Sequence, residues 1–211
     1  MVLRINGAAS VLSGVSRSNE ARIWKAASKE GIAPPLLHID NQNRFLVSSY
    51  MENILPPEPA RNQSIVDQAL ILLKRCHQLK VEAHEIDYFS HIENYWRIIE
   101  SKKANPNPTL YQQRAPMQQL LGELTASNPT MGLCHHDPVI ANFVGSTERL
   151  YLIDWEYAAT GLQIMDYAAL ATEWEIDEAV ILARSGCNPE HLTMAKTLYE
   201  YLCYLWKATT T

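Results

Sequence analysis

The four cysteines of this chain, Cys76, Cys134, Cys187 and Cys203, lie far apart and form neither a disulfide framework nor a CxxC metal pair. They read as buried or incidental thiols of a reducing compartment. No run approaches the roughly 20 apolar residues that a membrane span requires. Met1-Val2-Leu3-Arg4 does not have the pattern of a signal peptide, so the expectation is a cytoplasmic protein with no membrane span. Clustered positive charge is missing too. Lys and Arg are scattered, the formal net charge is −5 and the pI is near 5.8, which leaves no surface to neutralise a phosphate backbone and argues against nucleic acid as a partner. No internal repeat or low-complexity tract is present. What is there is a 211-residue chain, 47% hydrophobic and 19% charged, able to bury a substantial core as one domain or two small lobes.

Val2-Leu3-Arg4-Ile5 reads as a strand and residues 6–18 as a loop. Residues 20–30 place Ala21, Trp24 and Ala27 at helical spacing and stop at Gly31. Leu36-Leu37-His38-Ile39 and Phe45-Leu46-Val47 flank Asp40-Asn41-Gln42-Asn43 as a hairpin. Pro56-Pro57-Glu58-Pro59 is a stiff segment suited to joining two lobes, which divides the chain into a partial small lobe at 1–52 and a helical lobe at 53–211. Beyond it Ile65, Ala69, Leu72, Leu73, Cys76 and Leu79 line a helix opened by Ser64 as N-cap. Residues 88–103 repeat the pattern with Tyr95, Trp96 and Ile99 as core, Asn105-Pro106-Asn107-Pro108 ends it, and 117–125 is helical again. Phe143-Val144 and Leu150-Tyr151-Leu152-Ile153 are strands joined by the turn Gly145-Ser146-Thr147-Glu148, and 166–178 and 189–206 return to helix.

The chemistry is concentrated in Leu133-Cys134-His135-His136-Asp137-Pro138-Val139-Ile140-Ala141-Asn142 and Leu152-Ile153-Asp154-Trp155-Glu156-Tyr157, on the rims of that hairpin. Phosphoryl transfer asks a protein mainly to position a nucleophile, place magnesium and screen charge. Asp137 is suited to accept the proton of an alcohol, and Asn142 and Asp154 offer the hard oxygen ligands that magnesium prefers. A capping or turn role for Asp137 is the plainer alternative, and its register with Asn142 and Asp154 argues against it. His135 and His136 are adjacent, so their side chains diverge, and no third ligand at metal spacing accompanies them. Orienting the catalytic loop is the better role for His135.

These segments resemble the catalytic and metal segments of the choline/ethanolamine kinase family, within the wider group that includes aminoglycoside phosphotransferases. Asp166, twelve residues after Asp154, and Glu173-Trp174, seven further on, resemble that family's D-F-E-Y…D-I-G-N-x-x-x-E-W run. Val2-Leu3-Arg4-Ile5-Asn6-Gly7 is similar to its V-L-x-R-x-x-G strand, Ser16-Arg17-Ser18-Asn19-Glu20 to its I-x-R-x-x-E, Ser49-Tyr50-Met51-Glu52 to its interlobe hinge, and Leu202-Cys203-Tyr204-Leu205-Trp206 to its L-W-G-L-W, with Cys203 in place of a Trp. The resemblance implies an α+β, protein-kinase-like two-lobe fold with an incomplete small β lobe and a mostly helical large lobe. It also implies ATP and Mg2+ as cofactors, with Asp137 as base and Asn142 and Asp154 as metal ligands. Arg4 paired with Glu20 would clamp phosphate, and the backbone of Ser49 to Met51 would read adenine. Asp166 would hydrogen-bond the catalytic loop, and Glu156 would reach a second magnesium or face solvent.

A protonated or quaternary amine needs a carboxylate and aromatic faces. Glu173 is the carried-over carboxylate, with Tyr157, Trp174 and Trp206 as aromatic candidates. The expected activity is an ATP-dependent alcohol phosphotransferase acting on an amino alcohol, choline or ethanolamine first, with thiamine or another small alcohol as the alternative. Both ends of the chain read as cut, and the strand pair that carries the family's phosphate loop is expected to be missing. A non-catalytic, truncated kinase-like binding module is therefore the reading from a different class. Nothing in the sequence sets an oligomeric state.

Overall fold

The computed structural model describes residues 1–6, 15–56, 58–102, 108–127 and 129–210. Much of the 6–18 loop, Pro57, and the Asn105-Pro106-Asn107 stop lie outside the described residues. Strand β1 (Val2–Ile5) pairs antiparallel with β3 (Phe45–Ser48), which pairs on its other edge with β2 (Leu36–Ile39), giving the order β1-β3-β2. The β2–β3 turn is locked by Asp40, whose carboxylate accepts from the Gln42 and Arg44 amides and from the Arg44 guanidinium. Helix α1 (Arg17–Lys29) starts three residues before the apolar spacing suggests, because the Ser16 hydroxyl caps the Asn19 amide. It closes at Gly31, where φ is +64° and the Ile32 amide bonds back to Ala27 O at 2.8 Å.

Helix α2 (Gln63–His77) is capped by Asn62, not by Ser64. The Asn62 side chain accepts from both the Ser64 and Ile65 amides, which leaves Ser64 inside the first turn. Next come α3 (Tyr88–Ser101), capped by Asp87, and α4 (Pro108–Ala126), longer at its N-terminus than expected and continuous through Pro116. Strand β4 (Met131–Cys134) leads into the motif, β5 (Phe143–Gly145) and β6 (Leu150–Leu152) form the expected hairpin, and β7 (Ala159–Leu162) pairs antiparallel with β4. At Gly145, φ is +128° and a Cβ would lie 2.2 Å from Arg149 O, so the hairpin turn requires glycine.

The helix expected over 166–178 is two helices. Helix α5 (Gln163–Glu173) ends at Trp174, Glu175 turns the chain at φ +52°, and Asp177 caps the separate α6 (Glu178–Ser185). Helix α7 (Pro189–Thr210) packs across α3, α4 and α5, and the Trp96 indole donates to the Tyr201 hydroxyl at 2.9 Å. One apolar core runs from Ile23, Trp24 and Leu46 through Ile65 and Leu73 to Leu170 and Leu198. Among the described residues no helix is long and apolar enough to cross a membrane.

Leu73 is fully buried where α2 meets this core. Leu73→Ala is expected to lower unfolding free energy by about 2–5 kcal/mol, read as a fall in urea midpoint at constant m. A change within experimental error would show that the α2 face is not part of the cooperative core.

Candidate active site

Strand pairing between β4 and β7 ends at Cys134 and Ala159, so the next two amides, of His135 and His136, need another acceptor. Asp166, on the first turn of α5 and completely buried, supplies it. Its Oδ2 accepts from the His135 amide at 2.8 Å and from His77 Nε2 at 3.0 Å, and its Oδ1 accepts from the His136 amide at 2.8 Å. Burial alone would raise the Asp166 pKa. The His77 hydrogen bond and charge, the His136 charge and the His135 amide outweigh it and bring the value down to about 2. His77, Cys134 and Asp166 put three ligand-type atoms within 4.8 Å of one another. The Asp166 oxygens are already taken by donors and burial keeps the Cys134 thiol protonated, so the cluster is an anchor for the loop and not a metal centre.

Asp137 follows, and its carboxylate accepts from Asn142 Nδ2 at 2.8 Å while the same nitrogen donates to Asp137 O at 2.8 Å. Two acceptors on one side fix the amide orientation, so the Asn142 Oδ1 faces away from Asp137 as a free oxygen ligand. The Ile153 amide donates to Asn142 O at 3.0 Å and His135 Nε2 donates to Ile153 O at 3.0 Å, tying both rims of the hairpin together. Asp154 sits in the left-handed region at φ +66°. Its Oδ1 is buried without a hydrogen-bond partner; Arg4 Nη2 lies 3.0 Å away as an ion pair off hydrogen-bonding angle. A buried carboxylate oxygen without a hydrogen-bond donor on one rim of the hairpin, and on the other an amide oxygen turned away from Asp137, are the kind of ligands a hard divalent cation such as magnesium takes. Burial pushes the Asp137 pKa up, opposed by His135 and by the Asn142 hydrogen bond and assisted by the charges of Asp154 and Glu173. The shift makes Asp137 a stronger base.

On the other flank Arg4 is ion-paired with Glu20, and its Nη2 reaches Glu156 Oε2 at 3.0 Å. Arg17 Nη1 bridges the same two carboxylates, at 2.7 Å to Glu20 and 3.1 Å to Glu156. Glu156 Oε2 is therefore engaged by two guanidinium groups, in a charge network of Arg4, Arg17, Glu20, Glu156 and, through Arg4, Asp154. In the hinge, the Ser49 amide is engaged by Pro35 O at 2.8 Å, whereas the Met51 amide has no protein partner among the described residues.

Glu173 is exposed and accepts from the Tyr199 hydroxyl at 3.0 Å. The Trp206 side chain, 50% exposed, lies near the Tyr157 hydroxyl, and both Glu173 and Tyr157 lie within electrostatic range of Asp137. Trp174 is not an exposed aromatic wall: it is buried, packs on Phe143 and donates its indole N–H to Pro138 O at 3.2 Å. His77, Arg17 and Tyr199 are the site-supporting residues that spacing alone does not single out. A separate cavity of about 460 Å³, lined by Ile86, Tyr88, Phe89, Met131 and Leu162 among others, contains none of the motif residues.

Comparison with known proteins gives a consistent family signal. A model described as choline/ethanolamine kinase matches residues 1–209. Protein LicA of Haemophilus influenzae is 27% identical over 197 residues, covering 89% of this chain and 72% of LicA; a second LicA of that species matches equally and is covered over 56% of its length. Choline kinase LicA from Streptococcus pneumoniae has a TM-score of 0.85 at 23% identity, covering 99% of this chain and 76% of that one. A structure of LicA in complex with AMP gives 0.83 at 24% identity, with 98% and 75% covered. The mixed α+β fold is thus the kinase-like fold of those structures over nearly the whole chain.

The lowered Asp166 pKa has a signed consequence. A carboxylate with a depressed folded pKa stabilises above its unfolded value, here 3.8, and that contribution is lost as pH falls through about 2. Asp166→Asn leaves one buried N–H without an acceptor and is expected to cost about 1–3 kcal/mol at pH 7. In urea titrations the gap between wild type and variant should narrow as pH drops from 3.8 to about 2. A gap independent of pH would show that Asp166 is not ionised in the folded protein.

Proposed function

Because the chain belongs to the choline/ethanolamine kinase family, we propose that it transfers the γ-phosphoryl group of ATP to the hydroxyl of an amino alcohol, choline or ethanolamine first. The observation that carries the reading is the Asp137–Asn142–Asp154 arrangement. Asp137 is held at 2.8 Å by Asn142, and Asp154 keeps a buried oxygen without a hydrogen-bond donor. Asp137 accepts the hydroxyl proton as the substrate oxygen bonds to the γ-phosphorus and the bond from that phosphorus to the ADP oxygen breaks. Asn142 Oδ1 and the Asp154 carboxylate would hold magnesium, which when bound supplies positive charge to the nucleotide phosphates.

Arg4 is positioned by Glu20, with Glu156 sharing its other nitrogen, and would screen charge on the transferred group. The Met51 amide is the hinge donor available for adenine, a role consistent with the AMP bound by LicA. On the acceptor side, Glu173 with the aromatic faces of Tyr157 and Trp206 would replace the hydration of an ammonium group. The charges of Asp154 and Glu173 both act on Asp137, and this negative surface favours a cationic alcohol over a neutral one.

The test is ATP consumption and phosphomonoester formation by the purified chain with choline, ethanolamine and thiamine in turn. Turnover is expected with choline or ethanolamine. Turnover with thiamine alone would replace the acceptor; nucleotide binding without turnover of any acceptor would make the chain a binding module and sink the kinase reading. Asp137→Asn is expected to lower turnover by at least ~10² while nucleotide affinity stays within a few fold. Equal activity in that variant would remove Asp137 from the mechanism.

A further inference from the structure

We propose that Tyr88 is a positioning residue for the transfer, acting through His136 to hold the backbone that presents Asp137. His136 immediately precedes Asp137 and sits at φ +65°, a left-handed conformation that a residue with a Cβ keeps only when its surroundings impose it. Its amide is fixed by Asp166, and its ring is fixed from both ends. His136 Nδ1 lies 3.1 Å from Tyr157 O, and a carbonyl can only accept, so Nδ1 carries the ring proton. Nε2 is then bare and accepts from the Tyr88 hydroxyl at 2.8 Å.

The phenol is itself oriented. Its oxygen accepts the Leu162 amide at 3.1 Å, which turns its own proton toward His136. Tyr88 is the first residue of α3, held by the Asp87 cap, and the two rings meet edge to face with centroids 5.8 Å apart. The contact is built around Gly161: a Cβ there would lie 2.6 Å from the Tyr88 hydroxyl oxygen and 2.7 Å from His136 Nε2. Burial pushes the His136 pKa down, against the opposing charge of Asp166, the direction that favours the neutral ring with Nε2 as an acceptor.

Removing the hydroxyl leaves the Leu162 amide and His136 Nε2 buried and unpaired. The imidazole then keeps only its Nδ1–H bond to Tyr157 O and can swing about it, and the left-handed residue relaxes, which moves Asp137. Arg4, Met51 and Glu173 lie on other elements and keep their places. The signature of positioning is therefore a loss in kcat with KM spared, and it rests on the kinase reading above.

The test is a double-mutant cycle with Tyr88→Phe and His136→Asn, since Asn tolerates the left-handed region and keeps a donor near Tyr157 O without reaching Tyr88. Each single change is expected to lower kcat by about 10- to 100-fold with KM for ATP and alcohol within about twofold. The double variant should be within about threefold of the worse single, because the coupled pair is already broken. Independently of any turnover, the imidazole ¹⁵N spectrum should show His136 in the wild type as the neutral Nδ1–H form with a hydrogen-bonded Nε2, and in Tyr88→Phe as the same tautomer with Nε2 shifted to the position of a bare acceptor nitrogen. Unchanged kcat in Tyr88→Phe, losses that multiply in the double variant, or an Nε2–H ring in the wild type would each overturn the proposal. Failure of the kinase reading would abolish the kinetic arm and leave the ring-nitrogen result standing.

Discussion

The Asp166 carboxylate, sealed from water between α5 and the end of β4, is the contact on which the catalytic segment depends. Burying an ionised carboxylate is unfavourable unless its lone pairs are satisfied. Here two backbone amides and the His77 ring satisfy them, and the same bonds give two N–H groups beyond the end of the β4–β7 ladder their acceptors. Asp137 is presented by the next residue. From there a chain of bonds through Asn142 O, the Ile153 amide, Ile153 O and His135 Nε2 connects Asp137 to the strand end that carries Asp154. Asp137, Asn142 and Asp154 are thus held through backbone bonds, and under the proposed phosphoryl transfer little conformational freedom is left to lose on substrate binding.

Charge is arranged by flank. Arg4 and Arg17 share Glu20 and Glu156, so both guanidinium groups are oriented by carboxylates. Arg4 also stands 3.0 Å from the Asp154 oxygen, where its charge offsets part of the repulsion within the acidic cluster. Glu173 accepts from the Tyr199 hydroxyl, and among the described residues no ion pair to it is found. That asymmetry suits a polyanion on one side and an ammonium group on the other.

Spacing made Asp137, Asn142 and Asp154 legible as a group, because one 3-10 turn and one hairpin separate them, whereas the Arg4–Glu20 ion pair was expected only from the resemblance. The first sheet and its hairpin were legible for the same reason, since Asp40-Asn41-Gln42-Asn43 carries its own turn chemistry. Strand β7 was not, because Ala159-Thr160-Gly161-Leu162 lacks alternation and strong β-formers. Its Gly161 is explained only by two rings meeting above it. Ser64 passes for a cap until the Asn62 side chain is seen to reach both free amides. The α5–α6 break depends on the left-handed Glu175 and the Asp177 cap, which apolar periodicity does not register. His77 and Tyr88 lie 89 and 48 residues from their partners, with no local pattern announcing either bond.

Native-state hydrogen exchange of the His135 and His136 amides reads the central claim directly, because those two protons are the ones given to Asp166. The account predicts that both exchange only through global unfolding, with the same denaturant dependence as the amides of β4. Exchange of these two protons at the rate of an open loop, while β4 remains protected, would contradict it.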